Sequence, residues 1–142
     1  MDTKHQDMKK LNTAGLVVIQ GDSILLAYSK NKQAWYLPGG KIDAGETSLQ
    51  ALIREISEEL NVTLRPEDIS FYCHIQALAY GEQQLMMEQD CFLYQQPIDP
   101  KPSLEIEKVA YFDLETYAKE TVQVPGVIKL FEQLKADQRI HY

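Results

Sequence analysis

"GKIDAGETSLQALIREISEELNV" (residues 40–62) decides how this chain is read, because its second half is a helix that gathers like charges. Glu55, Glu58 and Glu59 stand three and four positions apart, where helical side chains are neighbours and like charges destabilise. At about 100° per residue, Leu49, Leu52, Ile53, Ile56 and Leu60 fall on one stripe to be buried against a sheet, and the carboxylates take a different arc. Thr47, with Gln50 three residues on, forms a capping-box pattern, so the helix starts there. It ends at Leu60, with Asn61 suited to a left-handed exit and Pro66 beyond as a stop. Carboxylates converging on one arc make an all-oxygen donor set, which suits Mg2+ or Mn2+ where waters and phosphate oxygens complete the shell. A solvated acidic face is the plainer reading of an isolated "EISEE". The surrounding sequence has to arbitrate.

Upstream, "TAGLVVIQGDSILLAYS" (residues 13–29) reads as two apolar strands around a Gly-Asp-Ser turn, and "KNKQAWYLPGGKIDAGE" (30–46) as a loop punctuated by Pro and Gly. Downstream, "ISFYCHIQALAY" (69–80) and "QLMMEQDCFLYQQ" (84–96) read as a second hairpin around Gly81 and Glu82. Its alternation sends Ile75, Ala77, Met87 and Leu93 one way, and His74, Gln76, Glu88 and Asp90 to a polar face bordering solvent or a ligand. With the turn centred near Glu82, Cys73 and Cys91 stand opposite each other. "VAYFDL" (109–114) is a further strand, "LETYAKE" (114–120) a short helix, and "PGVIKLFEQLKAD" (125–137) an amphipathic helix with Val127, Leu130, Phe131 and Leu134 on one stripe. Strands interleaved with helices predict an α/β chain, a mixed sheet covered by helices on both faces.

At 142 residues, 44% hydrophobic and 25% charged, the chain suits one domain, residues 1–142. Its net charge of −7 argues against a surface that gathers nucleic acid, so a polyanionic substrate needs local help such as a bound cation. No apolar run approaches the roughly 20 residues of a membrane span, and "MDTKHQDMKK" lacks the apolar centre of a signal peptide. The expected location is the cytoplasm, with Cys73 and Cys91 as buried, reduced thiols.

Residues 40–62 can be written Gly40, five residues, Glu46, seven residues, Arg54, Glu55, Ile56, one residue, Glu58, Glu59, Leu60, Asn61, Val62. This pattern, with "AWYLPGG" (34–40) before it, closely resembles the Nudix box of the Nudix hydrolase (MutT-like) family. One position departs: the family usually has Gly where this chain has Asn61, the next-best residue for a left-handed exit. The resemblance implies a Nudix fold, an α/β/α sandwich, and cleavage of a nucleoside diphosphate linked to a group X by water and a divalent metal.

By that resemblance Glu55, Glu58 and Glu59 ligate Mg2+ or Mn2+, with the carbonyl of Gly39 or Gly40 as a further ligand, and Arg54 holds Glu55. Relatives often take the general base from a Glu before the aromatic strand near the chain end. Glu105 in "SLEIEKVAYF" (103–112) matches best, with Glu107, Glu88 and Glu59 as rivals. Glu46 is either a helix-dipole anion or a support for the metal ligands. Lys41 is a candidate phosphate contact, His74 a candidate pocket residue, and Trp35, Tyr36, Tyr72, Tyr80 and Phe92 are candidates to stack on a base. The compact length is similar to the branch that turns nucleoside triphosphates, oxidised ones included, into monophosphate and pyrophosphate. Tyr80 resembles the tyrosine placement of dinucleoside polyphosphate hydrolases. ADP-ribose, nucleotide sugars and a non-catalytic nucleotide sensor are the other readings. The implied partner is a small nucleotide, and the implied assembly a monomer or homodimer.

Overall fold

The computed structural model describes residues 8–81 and 84–141; the expected turn at Glu82 lies outside them. Strand β1 (Lys9–Val17) continues through Val18 into β2 (Ile19–Gln20), and Gly21, at φ +62°, turns the chain into β3 (Ser23–Ser29). Only Ile19–Ile24 and Gln20–Ser23 pair as the expected hairpin. The body of β1 instead lies antiparallel to β5 (Gly39–Lys41) and parallel to β7 (Leu85–Tyr94). Thr13 to Val17 are all buried, the pattern of an interior strand covered on both faces rather than of an exposed hairpin arm.

The stretch 30–46, expected to be loop, contains β4 (Ala34–Tyr36) as well as β5. Both are short, and Pro38 divides them; it donates no backbone bond, but its carbonyl accepts from Leu16 at 2.8 Å. Helix α1 (Ser48–Leu60) follows, then a 3-10 turn at Pro66–Asp68, β6 (Ile69–Leu78), β7, β8 (Ile106–Phe112), α2 (Leu114–Tyr117) and α3 (Pro125–Ala136).

Rather than one sheet, the strands pair into two four-stranded sheets, one ordered β5-β1-β7-β6 and the other built on β3, which pairs with β2, β4 and β8. Successive residues on β1 and β3 face opposite sides and feed two cores. Leu16, Leu25 and Ala27 join Leu52, Ile56 and Leu60 of α1 in one. Val17, Ile24 and Leu26 join Val127, Leu130, Phe131 and Leu134 of α3 in the other. The result is the α/β/α sandwich expected, with α1 and α3 on opposite faces. Tyr117 pins the α3 side: its buried hydroxyl donates to the Trp35 carbonyl at 3.2 Å and accepts from the Val124 amide at 2.9 Å.

Cys73 and Cys91 stand opposite each other in the β6–β7 register as expected, and both are free thiols. Cys91 is buried, whereas Cys73 is only partly so. No helix among the described residues is long and apolar enough to cross a membrane.

Candidate active site

Helix α1 is fixed at both ends by its own sequence. Thr47 Oγ1 accepts from the Gln50 amide at 3.1 Å while Gln50 Oε1 accepts from the Thr47 amide at 2.9 Å, a complete capping box. At the far end Asn61 takes the left-handed conformation, φ 56°. Asn there does something glycine cannot: its Nδ2 donates to the Lys101 carbonyl at 2.7 Å. The helix's final carbonyls, which have no partner within a helix, are taken up by the same segment. Lys101 N donates to Leu60 O at 2.8 Å, Ser103 N to Glu59 O at 2.9 Å, and Ser103 Oγ to Glu58 O at 2.5 Å.

Arg54 ties the preceding loop to the helix. Its Nε and Nη2 grip both Glu46 oxygens at 2.8 and 2.9 Å, and Nη2 reaches the Lys41 carbonyl at 3.1 Å. This two-point bond, aided by the Asp43 amide, holds the Glu46 carboxyl down at about 2. Glu46 therefore acts on the helix through Arg54, a role its position alone left open. The remaining guanidinium nitrogen, Nη1, donates to Glu55 at 2.7 Å and sits 3.4 Å from both Glu58 oxygens.

Glu59 departs from the arc expected for it. It follows Leu52 by seven residues, which places it about 20° from that leucine around the helix, so it flanks the apolar stripe and is 6% exposed. Burial, and then the charge of Glu55, push its carboxyl up to about 8, with Glu105 adding to the push and the Gly39 amide, at 3.4 Å, opposing it. Gly40 leaves the room that the Glu55 side chain needs, since a Cβ there would sit 2.5 Å from Glu55 Oε2. With Glu55 and Glu58 drawn to Arg54, no group of three His, Cys, Asp or Glu side chains closes into a metal site among the described residues.

Glu59, alone of these carboxylates, lines a cavity of about 350 Å³, together with Gly39, Gly40, Lys41, Glu105, Tyr36, Tyr80, Thr13 and Gln89. Glu105 is held by Asn31, whose Nδ2 donates to Oε2 at 2.9 Å, and the Lys30 amide donates to the Glu105 carbonyl at 2.9 Å. Of the rival glutamates, Glu107 is exposed outside the lining and Glu88 lies elsewhere.

His74 is not brought to this cavity. Strand alternation puts it with Gln76, Glu88 and Asp90 on the outer polar face, where Nδ1 meets Asp90 at 2.7 Å and Nε2 meets Glu88 at 2.8 Å. Those bonds, Asp90's first, raise the imidazole above its ordinary range. Among the expected aromatics, Tyr36 and Tyr80 line the cavity. Trp35 is edge-on to Phe112 in the core, Phe92 packs against Phe71, and Tyr72 bonds Asp137 of the α3 terminus at 2.5 Å.

The family model of the NUDIX domain matches residues 9–134. An RNA pyrophosphohydrolase from Erythrobacter litoralis is 35% identical over 69 residues, 46% of this chain and 42% of that protein; the chain thus matches under half the length of this relative. The crystal structure of a MutT protein from Methanosarcina mazei superposes with a TM-score of 0.73 at 20% identity, covering 94% of this chain and 98% of that one. A C. elegans Ap4A hydrolase superposes at 0.65 with 25% identity, covering 91% and 96%. A family match over almost the whole described length, on a sandwich in which Gly40, Lys41 and Glu59 of the box line one cavity, makes this chain a member of the Nudix family.

Proposed function

We propose that this chain is a metal-dependent pyrophosphohydrolase that cleaves nucleoside diphosphate-X compounds by attack of water on phosphorus, with a nucleoside triphosphate, canonical or oxidised, converted to monophosphate and pyrophosphate. The observation that carries it is the meeting of Glu59, Glu105, Gly39 and Gly40 at one cavity, beside a Glu55 held by Arg54.

The donors fit a hard divalent cation such as Mg2+ or Mn2+. Glu59 is a buried carboxyl facing other carboxyls, and Gly40 lets the Glu55 carboxylate lie against its backbone, where any Cβ would clash. Glu55, Glu58 and Glu59 are the residues to hold the cation, with a glycine carbonyl of β5 beside them. When bound, such an ion supplies neutralisation of phosphate oxygens and acidification of water. Arg54 keeps Glu55 in place through its charge-assisted bond and is itself fixed by Glu46. Glu105, oriented by Asn31, is placed to take the proton from the attacking water. Lys41 stands at the cavity rim as a phosphate contact.

The likeness to an RNA pyrophosphohydrolase favours a second reading, a triphosphate carried on the 5′ end of an RNA. A panel of nucleoside triphosphates, oxidised forms, ADP-ribose, dinucleoside polyphosphates, nucleotide sugars and 5′-triphosphate RNA, run with Mg2+ or Mn2+ and with EDTA, tests both. Monophosphate plus pyrophosphate from free triphosphates supports the first reading, and pyrophosphate from RNA alone supports the second. No metal-dependent product from any compound overturns both and leaves a nucleotide sensor.

A further inference from the structure

Thr13 and Gln89 stand opposite each other on β1 and β7, and both line the cavity. The same lining includes the apolar side chains of Leu11, Leu37 and Met87. Thr13 is 7% exposed and Gln89 8% exposed, so neither is bathed in solvent. Thr13 Oγ1 is buried without a hydrogen-bond partner. A hydroxyl in that state destabilises the fold, and valine would fill the same space without the penalty. The hydroxyl therefore has its use with the cavity filled.

Position says what fills it. Lys41, Thr13 and Gln89 form one cross-strand row, because Thr13 is paired with Lys41 on one side and Gln89 on the other. Two strand spacings of about 4.8 Å lead from the Gly40–Lys41 end to Gln89, comparable to the reach from phosphate to base in a nucleotide. Tyr36 and Tyr80 supply flat walls to the same space. A threonine hydroxyl both donates and accepts, and a glutamine amide does the same in a planar fork. Together they match the edge of a heteroaromatic ring where donor and acceptor alternate.

We infer that Thr13 and Gln89 read the nucleobase of the substrate and set base selectivity. The inference rests on the hydrolytic reading for the orientation of the nucleotide, with the phosphates at Gly40 and Glu59. It assigns specificity to a strand pair outside the box and gives Thr13 a purpose the fold alone does not.

Melting shifts with the four nucleoside 5′-monophosphates and with ribose 5-phosphate test it without turnover, on the wild type, Thr13→Val, Thr13→Ser and Gln89→Leu. The expected wild-type result is a shift that differs among bases and is smallest with ribose 5-phosphate. Thr13→Val melts at or above the wild-type temperature when free, and loses the discrimination; Thr13→Ser, which keeps the hydroxyl, retains it. In kinetics, Thr13→Val raises KM for the preferred base by about tenfold and leaves kcat nearly alone. Unchanged base discrimination in both Thr13→Val and Gln89→Leu overturns the inference, as does ribose 5-phosphate binding as well as any monophosphate. A wild type that discriminates bases yet hydrolyses nothing overturns the hydrolytic reading and leaves this one standing.

Discussion

The outer face of the β6–β7 pair and the cavity carry similar polar chemistry and use it in opposite ways. On the outer face His74, Gln76, Glu88 and Asp90 satisfy one another: the imidazole bonds a carboxylate at each nitrogen, and Gln76 donates to the second Glu88 oxygen at 2.6 Å. At the cavity Thr13 of β1 lacks a partner and Glu59 of α1 is buried against like charge. A network whose members are paired rigidifies the fold, whereas a buried polar group left without a partner costs stability and calls for another reason to be there. Residue type does not separate the two; saturation does.

The largest test of that contrast is Glu59→Gln, which is expected to lower kcat by about 10² or more. Melting temperature should hold or rise, because a charge-prone group has been taken out of a buried site. Near-normal turnover would remove Glu59 from the metal site. Glu105→Gln should slow turnover by between about 10 and 10² while metal affinity, read by calorimetry, stays put. Loss from Glu88→Gln with none from Glu105→Gln would move the base to the saturated face and break the comparison outright.

Next in size, Glu46→Gln should weaken the apparent affinity for Mg2+ by about tenfold, because Arg54 is freed from its two-point bond and Glu55 loses its orientation. A metal titration of activity reads this, and rescue by higher Mg2+ distinguishes it from a damaged fold. The smallest effect is expected on the outer face. His74→Gln should leave kcat/KM within about twofold, and its consequence is in stability against pH. Because the folded imidazole is raised above 6.5, its contribution is present below that value and is lost as pH rises through the folded pKa. The melting gap between wild type and variant should therefore be widest near about pH 6 and close in alkali. A gap that widens with pH would mean His74 is held neutral.

Much of this is legible in the sequence. The caps of α1, its apolar stripe and the β6–β7 register follow from local periodicity and turn chemistry, which act over a few residues. The parallel pairing of β1 with β7 links residues more than seventy positions apart, and nothing local encodes it. Strands β4 and β5, of three residues each, are too short for alternation to declare itself among Pro and Gly. The burial of Glu59 had a signal in its helical phase beside Leu52, obscured by its membership of an acidic run. The partnership of Asn31 with Glu105 had none, because it depends on where β3 meets β8.

The segment 101–103 that receives the final carbonyls of α1 has a mechanical implication. Two residues beyond Ser103 the same backbone delivers Glu105, so the spacing between the acidic helix and this glutamate is set by a short, bonded length of main chain rather than by side-chain reach. It works as a ruler clamped to the helix. Lengthening the chain between Gln95 and Pro100 should be absorbed as slack, because it lies before the clamp. Adding a single residue between Ser103 and Glu105 should throw the carboxylate out of alignment while leaving every residue of the box in place.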